Sequence, residues 1–407
     1  MTEFCKDIIQ GTCMQMCPPR EIASREKQRR LHYFETVSFT SSAPNSNSFS
    51  QRDKLTADPR AVVKEFSRSA AGKGIDPSEL RPAHVLQRTM KYLVEEIANQ
   101  DGVYPWQMIY WFIFDRTRAI RQDLVVQRIT GKPVVEIFEK TCRFHILSGY
   151  KLCESPIDAF DPKINNDHTS ECLKRLLCFY DAENHSVYQV TRAEFEAYYL
   201  LHNLGSFEAL GRVVSLHAEI KRNSVLRLAF EINLAVMLKN FVRFFRLVNM
   251  LPYLACCAVH KHFNKVRADS LAAINKAHFS RNASLPLTLL VEMLNFNDIQ
   301  EAKDFCVHYG VEVTDTTVKL VKGDLNISQS MSARFSNIVD DKLTISASDL
   351  ISGKGTIPST IPAICRSNSD IENCSAVSQP MTAFASQDKP HWFGKGRGRG
   401  RGRKVVQ

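Results

Sequence analysis

The 407-residue sequence predicts a mainly α protein: a helical-repeat solenoid closed by a winged helix, with disordered tails. Three observations carry that reading. From about residue 83 to 266 the chain produces one helical pattern after another with short breaks. At Arg267 the rhythm changes to three short helices followed by two alternating segments. After Leu325 periodicity disappears. The implied organisation is an N-terminal signature segment with a Ser/Asn-rich linker (1–56), a helical-repeat domain (57–266), a winged helix (267–325) and a disordered tail (326–407) ending in a Gly-Arg-rich segment.

At the N-terminus, GTCMQMCPPRE starts at Gly11; Pro18 and Pro19 suit a helix start, predicting a short charged helix over Arg20 to Tyr33. Cys13 and Cys17 stand four apart near Cys5 and His32, but no second paired ligand set follows, so the spacing predicts a packed turn and no metal. Thr36 to Asp53 reads as a linker. Order resumes with RAVVKEFSRSAAG from Arg60, and VLQRTMKYLVEEIAN puts Val85, Met90, Leu93, Val94 and Ile97 on one stripe.

The stretch Pro105 to Arg128, PWQMIYWFIFDRTRAIRQDLVVQR, is apolar in its first half and charged in its second. Phe112, Ile113, Ile120 and Leu124 mark a buried face; Asp115, Arg116, Arg118, Arg121 and Asp123 take the remaining surface. Two readings follow. One is structural ion pairing, with Asp115 and Asp123 holding Arg118 or Arg121. The other is a basic contact surface for a partner or nucleic acid. Because the stretch lies far in sequence from the winged helix, the first is preferred.

Further helical patterns are VVEIFEKTCRFHILSGYKLCE, HTSECLKRLLCFYDAEN, VTRAEFEAYYLLHNL, ALGRVVSLHAEI and VLRLAFEINLAVMLKNFVRFFRLVNMLP. Pairs about 35–45 residues long suggest a stack without a clean repeat. His145, His202 and His217 lie in these helices with no second ligand at matching spacing and read as packed or surface groups. In the winged-helix region the third helix, Asp298 to Tyr309, is the one offered to a groove, with Asn297 and Gln300 in capping-box spacing. It carries Asp298, Glu301 and Asp304 against Lys303 alone, so it repels phosphates. The basic candidates around it are Lys261, Lys265 and Arg267, with Lys319 and Lys322 on the hairpin formed by VEVTD and TVKLVKG.

Six of the ten net positive charges fall between Lys395 and Lys404, in HWFGKGRGRGRGRKVVQ. Alternating Gly and Arg builds no core, while each guanidinium can meet a phosphate or stack on a base. Lys395, Arg397, Arg399, Arg401, Arg403 and Lys404 are therefore the leading RNA-binding candidates. The twelve cysteines are scattered in apolar runs, as expected of buried small hydrophobes in a reducing compartment. The longest uncharged apolar run, Val103 to Phe114, is 12 residues, short of the roughly 20 that span a bilayer, so a soluble intracellular protein with no membrane contact is expected. No nucleophile elbow, phosphate loop or HExxH motif appears, which predicts no enzyme and no cofactor.

Several segments together resemble the SAC/GANP family, scaffolds of nuclear messenger-RNA export. They are GTCMQMCPPRE at Gly11, RAVVKEFSRSAAG at Arg60, LRPAHVLQRTMKYL at Leu80, FDRTRAIRQDLVVQ at Phe114, HILSGYKLCE at His145, DPKINND at Asp161 and PLTLLVEMLNF at Pro286. The resemblance implies a PCI/TPR-like helical repeat closed by a winged helix, a second PCI-type subunit beside it, and a small acidic stabilising protein. It also implies a composite basic platform for RNA, a nuclear location and docking of transcripts at the nuclear pore. No phenylalanine-glycine repeats are visible ahead of the matched region and no long helix behind it, so the sequence reads as a compact member. A centrosome or spindle role, associated with short animal members, is the alternative; the basic tail favours the nucleus.

Overall fold

In the computed structural model the described residues are 9–37, 39, 56–68, 74, 76–182, 189–278, 283–320 and 322–354, all within the unit Met1–Ser359. They are mainly helical, as the sequence predicts. Helix α1 (Pro19–Lys27) starts on Pro18-Pro19 but stops six residues short of Tyr33, because Arg29 takes a left-handed conformation (φ 54°). The returning chain bonds the Arg30 amide to the Arg25 carbonyl and forms a 3₁₀ turn, Tyr33–Glu35, capped by His32. The Arg60 stretch is not helical: Val62 to Arg68 run without regular structure past α1, and Leu31, Ala57 and Val62 close over Cys17.

Helix α2 (Ala83–Tyr92) begins after Pro82 and runs into a π-helical turn, Leu93–Ile97. Helix α3 (Trp106–Val126) follows Pro105 and ends where Arg128 turns left-handed (φ 51°). Helix α4 (Lys132–Lys151) starts at Gly131 (φ 80°). Next come α5 (Pro162–Ala182), α6 (Gln189–His202), α7 (Phe207–Ser215), α8 (Ala218–Lys221), α9 (Ser224–Met237), α10 (Phe241–Val248) and α11 (Tyr253–His260). Helix α4 packs on α5 and α5 on α6; α6 meets α9, which meets α10, and α11 returns to both α4 and α6. Tyr110, Phe138, Phe144, Phe160, Tyr180, Phe195 and Phe244 fill the resulting core, each contributing about 1.5–3 kcal/mol by leaving water.

Two expected continuous helices are broken. ALGRVVSLHAEI divides at Leu216, and the long Val225–Pro252 pattern divides at Lys239, which is left-handed (φ 54°). There Asn240 caps α10 by accepting from the Arg243 amide at 3.1 Å. Periodicity misses these breaks because both halves face the same core.

From Arg267 on, the elements are the end of α12 (Phe263–His278), β1 (Ser284–Pro286), α13 (Leu287–Leu294), α14 (Ile299–His308) and β2 (Thr317–Lys319). The expected hairpin is rearranged: β2 pairs antiparallel with β1, Leu285 opposite Val318, while Val313 meets Val318 only in a single bridge. The capping box is shifted by one residue, with Asp298 accepting from the Glu301 amide at 2.7 Å and Glu301 reaching back to the Asn297 amide at 2.6 Å.

The tail departs most from expectation. The start of the disordered region at Asn326 is corrected for residues 326–354, which form a strap with two short helices, α15 (Asn337–Asp340) and α16 (Ala347–Ser352). Ile338, Val339, Leu350 and Ile351 are buried in it. Tyr150 donates to Asp340 at 2.6 Å, Glu154 accepts from the Phe335 amide at 2.8 Å, and Lys342 donates to the Ile338 carbonyl at 2.6 Å. The strap's helices, of four and six residues, are too short to show a period, yet the face of α4 and α11 gives their apolar residues a place to bury. No helix among the described residues is long and apolar enough to cross a membrane.

Candidate functional site

The polar half of α3 is densely paired, and its partners come from residues 25–81, which precede it in the chain. Asp123, fully buried, accepts from Lys64 Nζ and from Arg81 Nε, each at 2.7 Å. Arg116 donates to Glu35 at 3.0 Å, and Glu35 also binds Arg25 and accepts from the Val63 amide at 3.1 Å. Asp115 pairs with Arg116 and accepts from the Phe66 amide at 3.1 Å. The expectation that Asp115 and Asp123 hold Arg118 or Arg121 is therefore corrected. Residues 62–66 lie against α3 with backbone donors that no sheet satisfies, and the carboxylates answer those donors. Glu35, Arg25, Lys64 and Arg81 are the residues the sequence reading missed. Lys64 in AVVKEF and Glu35 in HYFETV carried the signal of a charge among apolar neighbours, whereas Arg25 and Arg81 lie in polar stretches that gave none.

The two arginines left over are unequal. The Arg118 guanidinium stacks 3.8 Å from the centre of the Phe66 ring and 5.6 Å from Phe114, and no ion pair or hydrogen bond holds it among the described residues. Burial lowers its pKa; Asp115 opposes that, and Arg121 and Arg68 add to it. Arg121 is buried, with Nη1 3.0 Å from Cys172 Sγ, and its nearest paired carboxylate, Glu171, stands 3.8 Å away. Its Nε makes no hydrogen bond, and neither does His168 Nδ1 beside it, which has the Glu171 carboxylate at 3.7 Å. Behind them His145 binds Asn165 through Nδ1 at 2.8 Å, and burial holds it neutral by lowering its pKa to about 3.

The basic candidates near α14 divide similarly. Arg267, expected to meet nucleic acid, is 3% exposed. It binds Glu301 at 2.9 Å and the Leu294 carbonyl at 3.1 Å, and lies 4.2 Å from the Phe296 ring centre. That expectation is corrected: Arg267 closes the C-terminal end of α13, and burial lowers its pKa to about 10. Lys265 and Lys322 are exposed; Lys319 is exposed but sits 3.1 Å from Glu312. On α14, Asp304 faces Arg334 of the strap at 3.4 Å and Lys303 faces Asp315 at 3.8 Å. Lys395, Arg397, Arg399, Arg401, Arg403 and Lys404 lie outside the described residues.

Between α4, α5, α11 and strap residues Ser332–Arg334 lies a cavity of about 610 Å³ that includes His145, His202 and Lys261. Lys261 Nζ is 3.0 Å from His202 Nε2, and burial lowers the lysine to about 8. Burial also pushes the thiols of Cys153 and Cys306 up to about 12 and that of Cys172 to about 11, so these sulfurs stay protonated and weakly nucleophilic at neutral pH.

Fold and site together define a helical body braced by buried ion pairs between residues 35–81 and one central helix. The chain belongs to the SAC3/GANP family, whose model matches residues 16–315. It is 32% identical to Protein xmas of Drosophila melanogaster over 86% of this chain and 17% of that protein. It is 28% identical to SAC3 family protein 1 of Schizosaccharomyces pombe over 92% of this chain and 36% of the relative. To SAC3 family protein B of Arabidopsis thaliana it is 29% identical over 72% and 17%. The chain thus spans little more than a third of these relatives at most.

Proposed function

We propose that this chain is a non-enzymatic scaffold subunit of a nuclear, transcription-coupled mRNA export complex. It binds RNA and a second PCI-type subunit, with a small acidic stabilising protein, and helps dock messenger ribonucleoproteins at the nuclear pore. The observation that carries the reading is membership of the SAC3/GANP family across residues 16–315, where the ion-pair brace lies. The order helix–strand–helix–helix–strand over residues 263–319, with β1 and β2 antiparallel, supports reading that region as a winged helix. Its third helix is acidic and faces the strap, which favours RNA contact through other cations, foremost those between Lys395 and Lys404.

The test is a titration of purified full-length chain with single-stranded RNA at several salt concentrations. Deletion after Trp392 removes six cations and is expected to reduce the log–log salt slope by up to about 4, at roughly 0.7 per phosphate contact. Unchanged affinity and slope overturn the tail assignment. Affinity purification from nuclear extract that recovers no PCI-type subunit counts against the scaffold reading.

A further inference from the structure

Arg118 and Arg121 are under-paired for charges so close to a core. The Arg118 guanidinium lies over the Phe66 ring with no hydrogen-bond partner among the described residues, and Arg121 has one sulfur and a carboxylate at 3.8 Å. That carboxylate, Glu171, is shared with Arg175 at 3.1 Å and His168 at 3.7 Å, and Asp115 is already engaged by Arg116 and the Phe66 amide. Arg68, exposed, adds a further positive charge within electrostatic reach of Arg118. Buried nitrogens almost always have partners, and here Arg121 Nε makes no hydrogen bond, while neutral His168 has only Glu171 at 3.7 Å. Among the mutually repelling guanidinium groups of Arg118, Arg121 and Arg68 the missing partner is an anion.

One more feature of the same helix edge says which anion. Trp111 lies seven residues before Arg118, two turns and about 10 Å along α3. Its ring is 40% exposed, anchored by a bond from Nε1 to the Ala159 carbonyl at 2.9 Å. An anchored, half-open indole beside a guanidinium cluster matches the stacking platform and backbone contact of single-stranded nucleic-acid sites.

We propose that the α3 edge formed by Trp111, Arg118 and Arg121, with His168 of α5, is a second contact for single-stranded RNA. A backbone phosphate sits at the half-buried Arg118, with the buried Arg121 behind it adding positive charge, and a base lies on Trp111. This rests on the proposal that the chain binds RNA, and adds a site remote in sequence from both the tail and residues 263–322.

The experiment uses the full chain and a fluorescent oligouridine, read by anisotropy across salt concentrations, with ultraviolet cross-linking mapped by mass spectrometry. Cross-links within residues 105–128 are expected. W111A should lower affinity about fivefold or more. R118A should lower the salt slope by about 0.7, and R118K should retain that slope while losing affinity. Cross-linking of the unaltered chain keeps the test decisive if W111A fails to fold. Wild-type affinity and slope in all three variants, with cross-links confined to other segments, overturn this site alone. A chain with no affinity for RNA overturns the RNA reading as a whole. Displacement of wild-type but not R118A binding by a polyglutamate peptide, with no cross-link at α3, overturns it in favour of an acidic protein partner.

Discussion

Replacing Asp123 with Asn is the sharpest test of the brace that Lys64 and Arg81 form with α3. The substitution keeps the shape but removes the charge that Lys64 and Arg81 share, each at 2.7 Å. Arg81 is fully buried and the Lys64 side chain only 11% exposed, so neither regains water without opening the structure. Lys64 keeps the Glu79 carbonyl and Arg81 keeps the Met16 carbonyl, but those neutral acceptors do not offset two buried positive charges. Removing one member of a buried ion pair costs about 3–5 kcal/mol. That is a large part of the roughly 5–15 kcal/mol by which a folded protein exceeds its unfolded state. With a urea slope of about 3 kcal/mol/M, the unfolding midpoint should fall by about 1–2 M. The triple variant K64M/R81M/D123L, which removes every charge, should recover much of the loss. A midpoint shift in D123N below about 0.3 M would falsify the reasoning.

Other expectations follow from the same contacts. A Cβ at Gly11 would stand 2.5 Å from the Leu80 carbonyl oxygen, so G11A should cost about 1–3 kcal/mol in urea unfolding, and a neutral result would show that the Leu80 turn gives way freely. R267A should lower stability by about 3 kcal/mol or more while leaving RNA affinity per folded molecule unchanged; the reverse order would return Arg267 to the nucleic-acid surface. Burial lowers His145 and His202 to about 3 and His260 and His262 to about 4, below the unfolded value near 6.5. The unfolded chain therefore binds more protons below pH 6.5, and their stabilisation, fully present above that pH, is lost as pH falls towards 4. Each group contributes a slope of up to about 1.4 kcal/mol per unit, opposed by Glu21 and Glu139, whose carboxyls burial pushes up. Urea midpoints at pH 7 and 5 should show a fall that H145Q lessens, and a pH-independent midpoint in both proteins would refute the assignment.

The sequence by itself determined the helical class, most helix starts and the buried stripe of α3, because Pro, Gly and 3.6-residue periodicity act locally. Pro105 opens α3 and Pro82 opens α2 where the sequence indicates. It also singled out Asp115 to Asp123 as the charged centre. Only the tertiary structure decided who pairs with whom. Spacing along α3 offers Arg118 to Asp115, but segments 31–36 and 56–66 bring Glu35, Lys64 and unsatisfied backbone donors to the helix, and these leave Arg118 over. Likewise Arg267 reads as a free cation until Glu301 and the end of α13 enclose it. The strap from Asn326 to Lys354 has helices too short to announce themselves by periodicity, and the apolar face that receives it comes from α4 and α11, nearly two hundred and about eighty residues earlier in the chain. Charge partners and docking faces depend on which distant segments meet, and no local pattern encodes that.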